Sequence, residues 1–418
     1  MKVLIKQANI ISPSSPFHGQ TKDILINNGI IEKISVSIND KADQVIEQQG
    51  LCISAGWVDI FADFADPGYE QRETIDTGAN AAAAGGFTDI MVIPNTRPAI
   101  DTKSQVEYIV QKSSSLAVSV HPIGSVTKNA SGETLAEMYD MRESGAVAFS
   151  DGINSIQDAG VLVKALQYVR AFEGMILQIP DDKSIGNGGL MNEGIVSTQL
   201  GLPGKPIMSE ELMVARDIKL ARYAESKLHF TGVSSAKSIE YIKRGKDGGT
   251  KVSCSVTPYH LFFTEEDLRE YDSNLKVNPP LRKDDDVQAL RSAVINGSVD
   301  CIASHHLPQN WDNKTCEFEY AKNGMIGLET MFAALITVGC SAERFVEMQS
   351  VNARKLFGLK IPEIKEGATA TLTIFNPETK YIFDGKSARS KSANSAFLGK
   401  ELKGKVIGII NKNKIVLN

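Results

Sequence analysis

The chain lacks several features that assign a protein at once, and each absence excludes a class. No run of eighteen apolar residues occurs; the nearest candidate, 325–340, is interrupted by Glu329 and reads as a packed helix. Positive charge is not in excess: 45 Lys and Arg against 50 Asp and Glu leave a net charge of −5. Neither nucleic acid nor an anionic membrane is an expected partner on that balance. No CxxC is present, and the five cysteines (Cys52, Cys254, Cys301, Cys316, Cys340) are scattered and odd in number. That usage points to reduced thiols in a cytoplasm, with packing roles. The opening Met1-Lys2-Val3-Leu4-Ile5-Lys6 is too short in apolar length for a signal peptide. What remains is ordinary: 42% hydrophobic and 23% charged residues over 418 positions, the composition of a soluble globular protein. The length suits two domains, or one barrel with an addition.

Patterning along the chain separates two kinds of structure. Residues 1–50 alternate short β runs with turns; Asn27-Asn28-Gly29 is a hairpin signal. From about 51 the pattern becomes strand-then-helix. Strands are expected at 56–63, 87–94, 117–123, 146–150, 174–179, 227–232, 251–256 and 299–304. Helices are expected between them, among others at 74–84, 133–143, 156–172, 209–225 and 236–244. Eight apolar strands with intervening helices is the count for a closed (β/α)₈ barrel. An open doubly wound sheet would want a Gly-rich phosphate loop after its first strand, and none is there. From 360 to 418 β character returns. The expected division is a barrel over 51–359 and one small β-domain built from 1–50 and 360–418.

The most informative residues stand at the end of the first barrel strand. In Gly56-Trp57-Val58-Asp59-Ile60-Phe61-Ala62-Asp63, strict alternation would place 59, 61 and 63 on one face. A metal-dependent hydrolase on this scaffold carries two histidines there, because neutral imidazole nitrogens converge well on an ion. Phe61 has no lone pair to donate.

The spacing of further blocks carries a resemblance over nearly the whole length. They are Asp66-Pro67-Gly68, Ala81-Ala82-Ala83-Ala84-Gly85-Gly86-Phe87-Thr88 and Pro94-Asn95-Thr96-Arg97-Pro98. Phe149-Ser150-Asp151, Met191-Asn192-Glu193-Gly194, Asn278-Pro279-Pro280-Leu281-Arg282 and Gly327-Leu328-Glu329-Thr330 follow. In this order the chain resembles the dihydroorotases of the amidohydrolase superfamily, in the bacterial type found with aspartate carbamoyltransferase. The resemblance implies a TIM barrel with a terminal β-domain and two zinc ions at the barrel mouth. A bridging hydroxide would open the ring amide of dihydroorotate. The six ligand positions it implies fall on Phe61, Asp63, Asp151, Gln178, Gly232 and His305, of which only Asp151 keeps the family residue. The position of the substrate-binding arginine is Ala65, removing a charge-assisted bidentate contact. The histidine after the eighth strand is Gln309, while Asn95 and Asn278 remain in the substrate pocket.

The expectation is therefore a catalytically degenerate dihydroorotase homologue with no cofactor. It would serve as a structural partner of aspartate carbamoyltransferase and as a homodimer. One rival is an enzyme with a rebuilt mononuclear zinc site of Asp63, Asp151 and His305. The other is a protein that binds or senses a pyrimidine intermediate. Adjacent His305 and His306 should point to opposite faces if the strand continues through them, and His229 should turn away from the mouth. Asp59 reads as a structural carboxylate. Asn192 and Glu193, on a long glycine-rich connection, read as loop-fixing residues.

Overall fold

A computed structural model describes residues 1–418. Eight parallel strands follow one another in chain order around a barrel: Trp57–Ala62, Phe87–Val92, Ser119–Gly124, Ala148–Phe149, Met175–Gln178, Lys227–Phe230, Val252–Val256 and Cys301–Ile302. All eight lie within or beside the expected segments. The fourth and eighth are shorter than expected, with two residues each. Of the helices, the one expected from 133 begins only at Met138. The residues before it turn back instead on the preceding loop, where Leu135 bridges Thr127. The helix expected from 156 starts at Ala159, because the Asp158 side chain caps Val161 N.

The barrel closes largely through side chains. The first and last strands share a single bridge, Ala62 with His306, and Asp63 N donates to His306 O at 2.8 Å. Below it, Gln349 replaces the missing ladder. Its Oε1 accepts from Ile302 N at 2.9 Å, and its Nε2 donates to Ile302 O at 3.0 Å and to Val58 O at 3.1 Å. Asp59 completes the seam, accepting from the backbone N and the hydroxyl of Ser304, both at 2.7 Å. Asp59 is thus the structural carboxylate that the sequence suggested.

The second sheet draws on both termini. Its order is Lys414–Leu417, Glu401–Asn411, Thr371–Ile382, Cys52–Ala55, Lys2–Ile10, Thr21–Asn27 and Ile30–Ser35, with Gln44–Glu47 also on Lys2–Ile10. The sheet therefore takes in residues 52–55, and the chain passes to the barrel at Gly56. Asn28 and Gly29 turn the hairpin with φ of 49° and 80°. Only glycine fits the second place, since a Cβ there would lie 2.4 Å from the Lys412 carbonyl carbon. Trp57, fully buried, joins the two bodies through Phe332, Phe345 and Phe375, with ring centroids 4.8–5.2 Å away. No helix is long and apolar enough to cross a membrane.

The C-terminal half also reaches the barrel mouth. Ser390 Oγ and Lys391 N donate to Glu73, and Arg389 N donates to Glu329. This loop forms one wall above the strand ends.

Replacing Gln349 by Leu strands three buried backbone groups, a loss of about 2–4 kcal/mol. Urea unfolding of Gln349→Leu should show a lowered midpoint of that size; an unchanged midpoint would show that the seam does not depend on it.

Candidate active site at the barrel mouth

The first strand does not keep its alternation. Its pairing with the second strand shifts register between Trp57 and Val58, and again between Asp59 and Ala62. Asp59, Phe61 and Asp63 consequently meet three different partners instead of sharing one face. Asp59 stays on the seam, where burial pushes its carboxyl up to about 6 against the Ser304 hydrogen bonds. Phe61, fully buried, stacks on the His305 imidazole with centroids 4.4 Å apart and ring planes 26° apart. Asp63 turns toward the open cleft. Its Oδ1 accepts from Ala65 N at 2.7 Å and its Oδ2 meets Arg72 at 3.2 Å. Burial raises the Asp63 carboxyl, and the Arg72 guanidinium opposes that shift.

His305 lies past the end of the eighth strand with φ of 43°, a left-handed conformation that breaks strand geometry. Simple alternation therefore does not govern the His305-His306 pair, and both are buried. His306 contacts Glu73 at 3.4 Å and accepts from Gly327 N, on the side of the C-terminal loop. The His305 ring lies inside the barrel, in the place of the missing side chain at Gly232. A Cβ on Gly232 would approach His305 Cε1 to 2.6 Å. No gap is left at Gly232.

From His305 a buried polar chain descends into the barrel. His305 Nε2 bonds Thr231 Oγ1 at 2.8 Å, Thr231 bonds Ser255 at 3.0 Å, and Ser255 bonds His229 Nε2 at 3.0 Å. His229 Nδ1 then meets Ser253 at 2.8 Å, and its ring packs on Phe357. His229 is absent from the mouth, as expected, but it is joined to His305 within the barrel. Burial lowers both imidazoles to about 3, so each is neutral at physiological pH. His305 Nδ1 is buried with no partner.

The remaining positions do not converge. Asp151 is buried with both oxygens committed: Oδ1 accepts from Thr127 N at 2.9 Å and Oδ2 from Thr127 Oγ1 at 2.6 Å. Burial raises its carboxyl despite those bonds. Gln178 faces the helix layer, bonding both backbone groups of Ile156 and approaching Asp217 at 3.4 Å. Its inward neighbours are the apolar Leu177 and Ile179. Residue 178 is therefore not a mouth position, because the fifth strand presents its odd-numbered residues to the interior. Ala65 is fully buried with φ of 57° and does not line the cleft. Asn278 likewise stands apart, held by Lys205 at 2.8 Å and Asp181 at 3.2 Å. No three His, Cys, Asp or Glu side chains come together as a group able to hold a metal ion.

What does open at the mouth is a cleft of about 690 Å³, bordered by Asp63, Arg72, Asn95, Gln309, Asn313 and Lys322 among others. Asn95 pins its floor, with Nδ2 on Asp151 O at 3.1 Å and Oδ1 accepting from Ile153 N at 2.9 Å. Gln309 is held by Asn313 and by Asn323 O. Sequence reasoning missed Arg72, which lies over the Tyr69 ring at 4.7 Å and puts a guanidinium at the mouth. The pair Asp63 and Arg72, nine residues apart across a tight loop, was the available signal.

The description Dihydro-orotase-like matches residues 50–238. The dihydroorotase of Syntrophus aciditrophicus is 37% identical over 423 residues, covering 100% of this chain and 99% of that protein. The dihydroorotase of Geobacter metallireducens is 37% identical over 422 residues with the same coverage. This chain belongs to the dihydroorotase-like family. Among solved structures, the L-hydantoinase (dihydropyrimidinase) from Arthrobacter aurescens matches with a TM-score of 0.85 at 23% identity, covering 100% of this chain and 96% of that one. A D-hydantoinase matches at 0.82 and 19%. These likenesses show the amidohydrolase fold.

Against the zinc pair that the resemblance implies, the side chains of this dihydroorotase-like chain do not fit. Phe61 and Gly232 offer no donor, Gln178 points outward, Asp151 is spent on Thr127, and Asp63 is spent on Arg72 and Ala65. The proposed trio of Asp63, Asp151 and His305 is likewise not assembled.

The neutral imidazoles give a pH dependence of definite sign. Below the ordinary histidine value of 6.5 the unfolded chain takes up protons that the folded barrel refuses, so stability is full above 6.5 and falls as pH drops. The slope is about 1.4 kcal/mol per pH unit for each such histidine. Urea midpoints at pH 7, 6 and 5 should fall less steeply in His305→Gln than in the parent chain. Parallel curves would contradict a neutral buried His305.

Proposed function

We propose that this dihydroorotase-like protein does not hydrolyse dihydroorotate. It acts as a cytoplasmic structural member of pyrimidine biosynthesis, a homodimer that assembles with aspartate carbamoyltransferase. The stacked rings of Phe61 and His305 carry this reading. They occupy the part of the mouth where the resemblance would put the first and sixth metal ligands; Phe61 has no donor atom, and His305 is stacked on it with Nε2 committed to Thr231. Fold and site are separable in such a barrel, because stability resides in the interior layers and function in the loops at the strand ends. The transcarbamoylase partner rests on the family resemblance.

A second reading draws support from the cleft. Its amides, Arg72 and Lys322 would suit a small, polar, singly negative ligand, so binding or sensing of a pyrimidine intermediate fits the same pocket without chemistry. A mononuclear hydrolase is the least supported alternative, since Asp63 and Asp151 would each have to abandon existing hydrogen bonds.

Purified protein should carry well under one zinc per chain by elemental analysis and give no carbamoyl aspartate from dihydroorotate. Mixed with the transcarbamoylase of the same organism, it should co-elute on size exclusion. Two zinc ions per chain with turnover would refute the degenerate reading, and separate elution would refute the partner.

A further inference from the structure

A second cavity, of about 450 Å³, lies beside the mouth between the loops after the first, seventh and eighth strands and the C-terminal loop. Lys314 and Lys391 line it, with Ser273, Asn310 and Asn394, and Trp311 stands at its edge. No aspartate or glutamate lines it.

Lys314 is the anomaly. Its residue is 8% exposed, yet the ammonium donates only to one neutral acceptor, Ser273 O at 2.7 Å, and forms no ion pair with a carboxylate. The loop does not need that bond as a tie, since Ser273 Oγ already donates to Lys314 O at 2.5 Å. Two ammonium hydrogens remain for something else. The nearby Asp272 caps Asn274 N through Oδ1 at 2.9 Å and forms no ion pair with Lys314. Lys276, also buried, is turned to the carbonyls of Phe318 and Glu319. Lys391 reaches Glu70 O at 2.6 Å. Positive charge is thus gathered around a polar cavity with no countercharge on its walls. Buried charges are ordinarily paired, and an oxyanion is the partner that pairs best with an ammonium.

One further observation narrows the ligand. Trp311 is 74% exposed at the rim, a flat apolar surface beside a charged pocket. We propose that this cavity is a binding site for a phosphorylated small molecule bearing a flat ring, a nucleoside monophosphate in chemical class. Its phosphate pairs with Lys314 and Lys391, and its ring lies against Trp311. Burial lowers the Lys314 amine to about 7, as does Lys276, while Asp272 and Cys316 raise it; an anion in the cavity would favour its charged form. This site is independent of the reading of the mouth.

The chain supplies its own reporter. It has two tryptophans, and Trp57 is fully buried in the core, so any ligand-linked change in emission comes from Trp311. Full-length protein is titrated with adenosine 5′-monophosphate, inorganic phosphate, adenosine, and sodium chloride at matched ionic strength. Adenosine 5′-monophosphate should give saturable quenching and inorganic phosphate should compete with it, while adenosine and chloride give neither. Lys314→Gln should weaken the affinity about tenfold or more. Asn310→Asp, which adds a carboxylate to the cavity without touching the Lys314 tie, should weaken it similarly and covers the case in which Lys314→Gln fails to fold. No saturable change with the nucleotide, or equal affinity in Asn310→Asp and parent, would overturn the proposal.

Discussion

The stacking of Phe61 on His305 is the contact on which the rest of the mouth depends. It needs three local conditions at once. The first strand must lose its regular register after Asp59, His305 must adopt a left-handed backbone, and residue 232 must have no side chain. Each condition alone would disturb a barrel; together they turn two rings into one packed layer. The buried chain through Thr231, Ser255 and His229 then fixes His305 from beneath, and burial keeps its ring neutral. A ring held in this way is part of the core. Around this layer the carboxylates are used structurally, Asp63 by Arg72 and Asp151 by Thr127.

The scaffold around this layer is held together away from the mouth. Closure of the barrel rests on Gln349 and Asp59, and its junction with the terminal sheet on Trp57 and its aromatic neighbours. None of these groups borders the cleft. The strand-end loops can therefore alter their chemistry while the interior remains closed. The C-terminal loop, bound to Glu73 and Glu329, belongs with the variable parts, and it helps to wall a second cavity that the barrel alone would not possess.

Much of the architecture was legible in the residues, because period-two and period-3.6 patterns report burial directly. The eight strands and the two-terminus sheet follow from that signal. The site was legible only in part. The absence of a donor at Phe61 and at Gly232 could be read from identity alone. That His305 fills the space at 232 could not, since it depends on a backbone conformation far along the chain. Gln178 shows the limit of counting along a strand: one residue of offset moves a side chain from the interior to the helix layer. Ala65 and Arg72 show another. Ala65 is buried with a positive φ, while Arg72, seven residues later, is brought to the mouth only by the fold of the loop. Asp151, retained in identity, had its oxygens assigned to Thr127 by a loop the sequence did not specify.

Zinc-edge anomalous diffraction tests most directly whether packing of Phe61 on His305 closes the mouth to metal, as proposed. Crystals grown with excess zinc should show no anomalous peak bounded by Phe61, Gly232 and His305, with the two rings still in contact. A peak there, with His305 swung off Phe61 and Asp63 or Asp151 turned onto the ion, would contradict it.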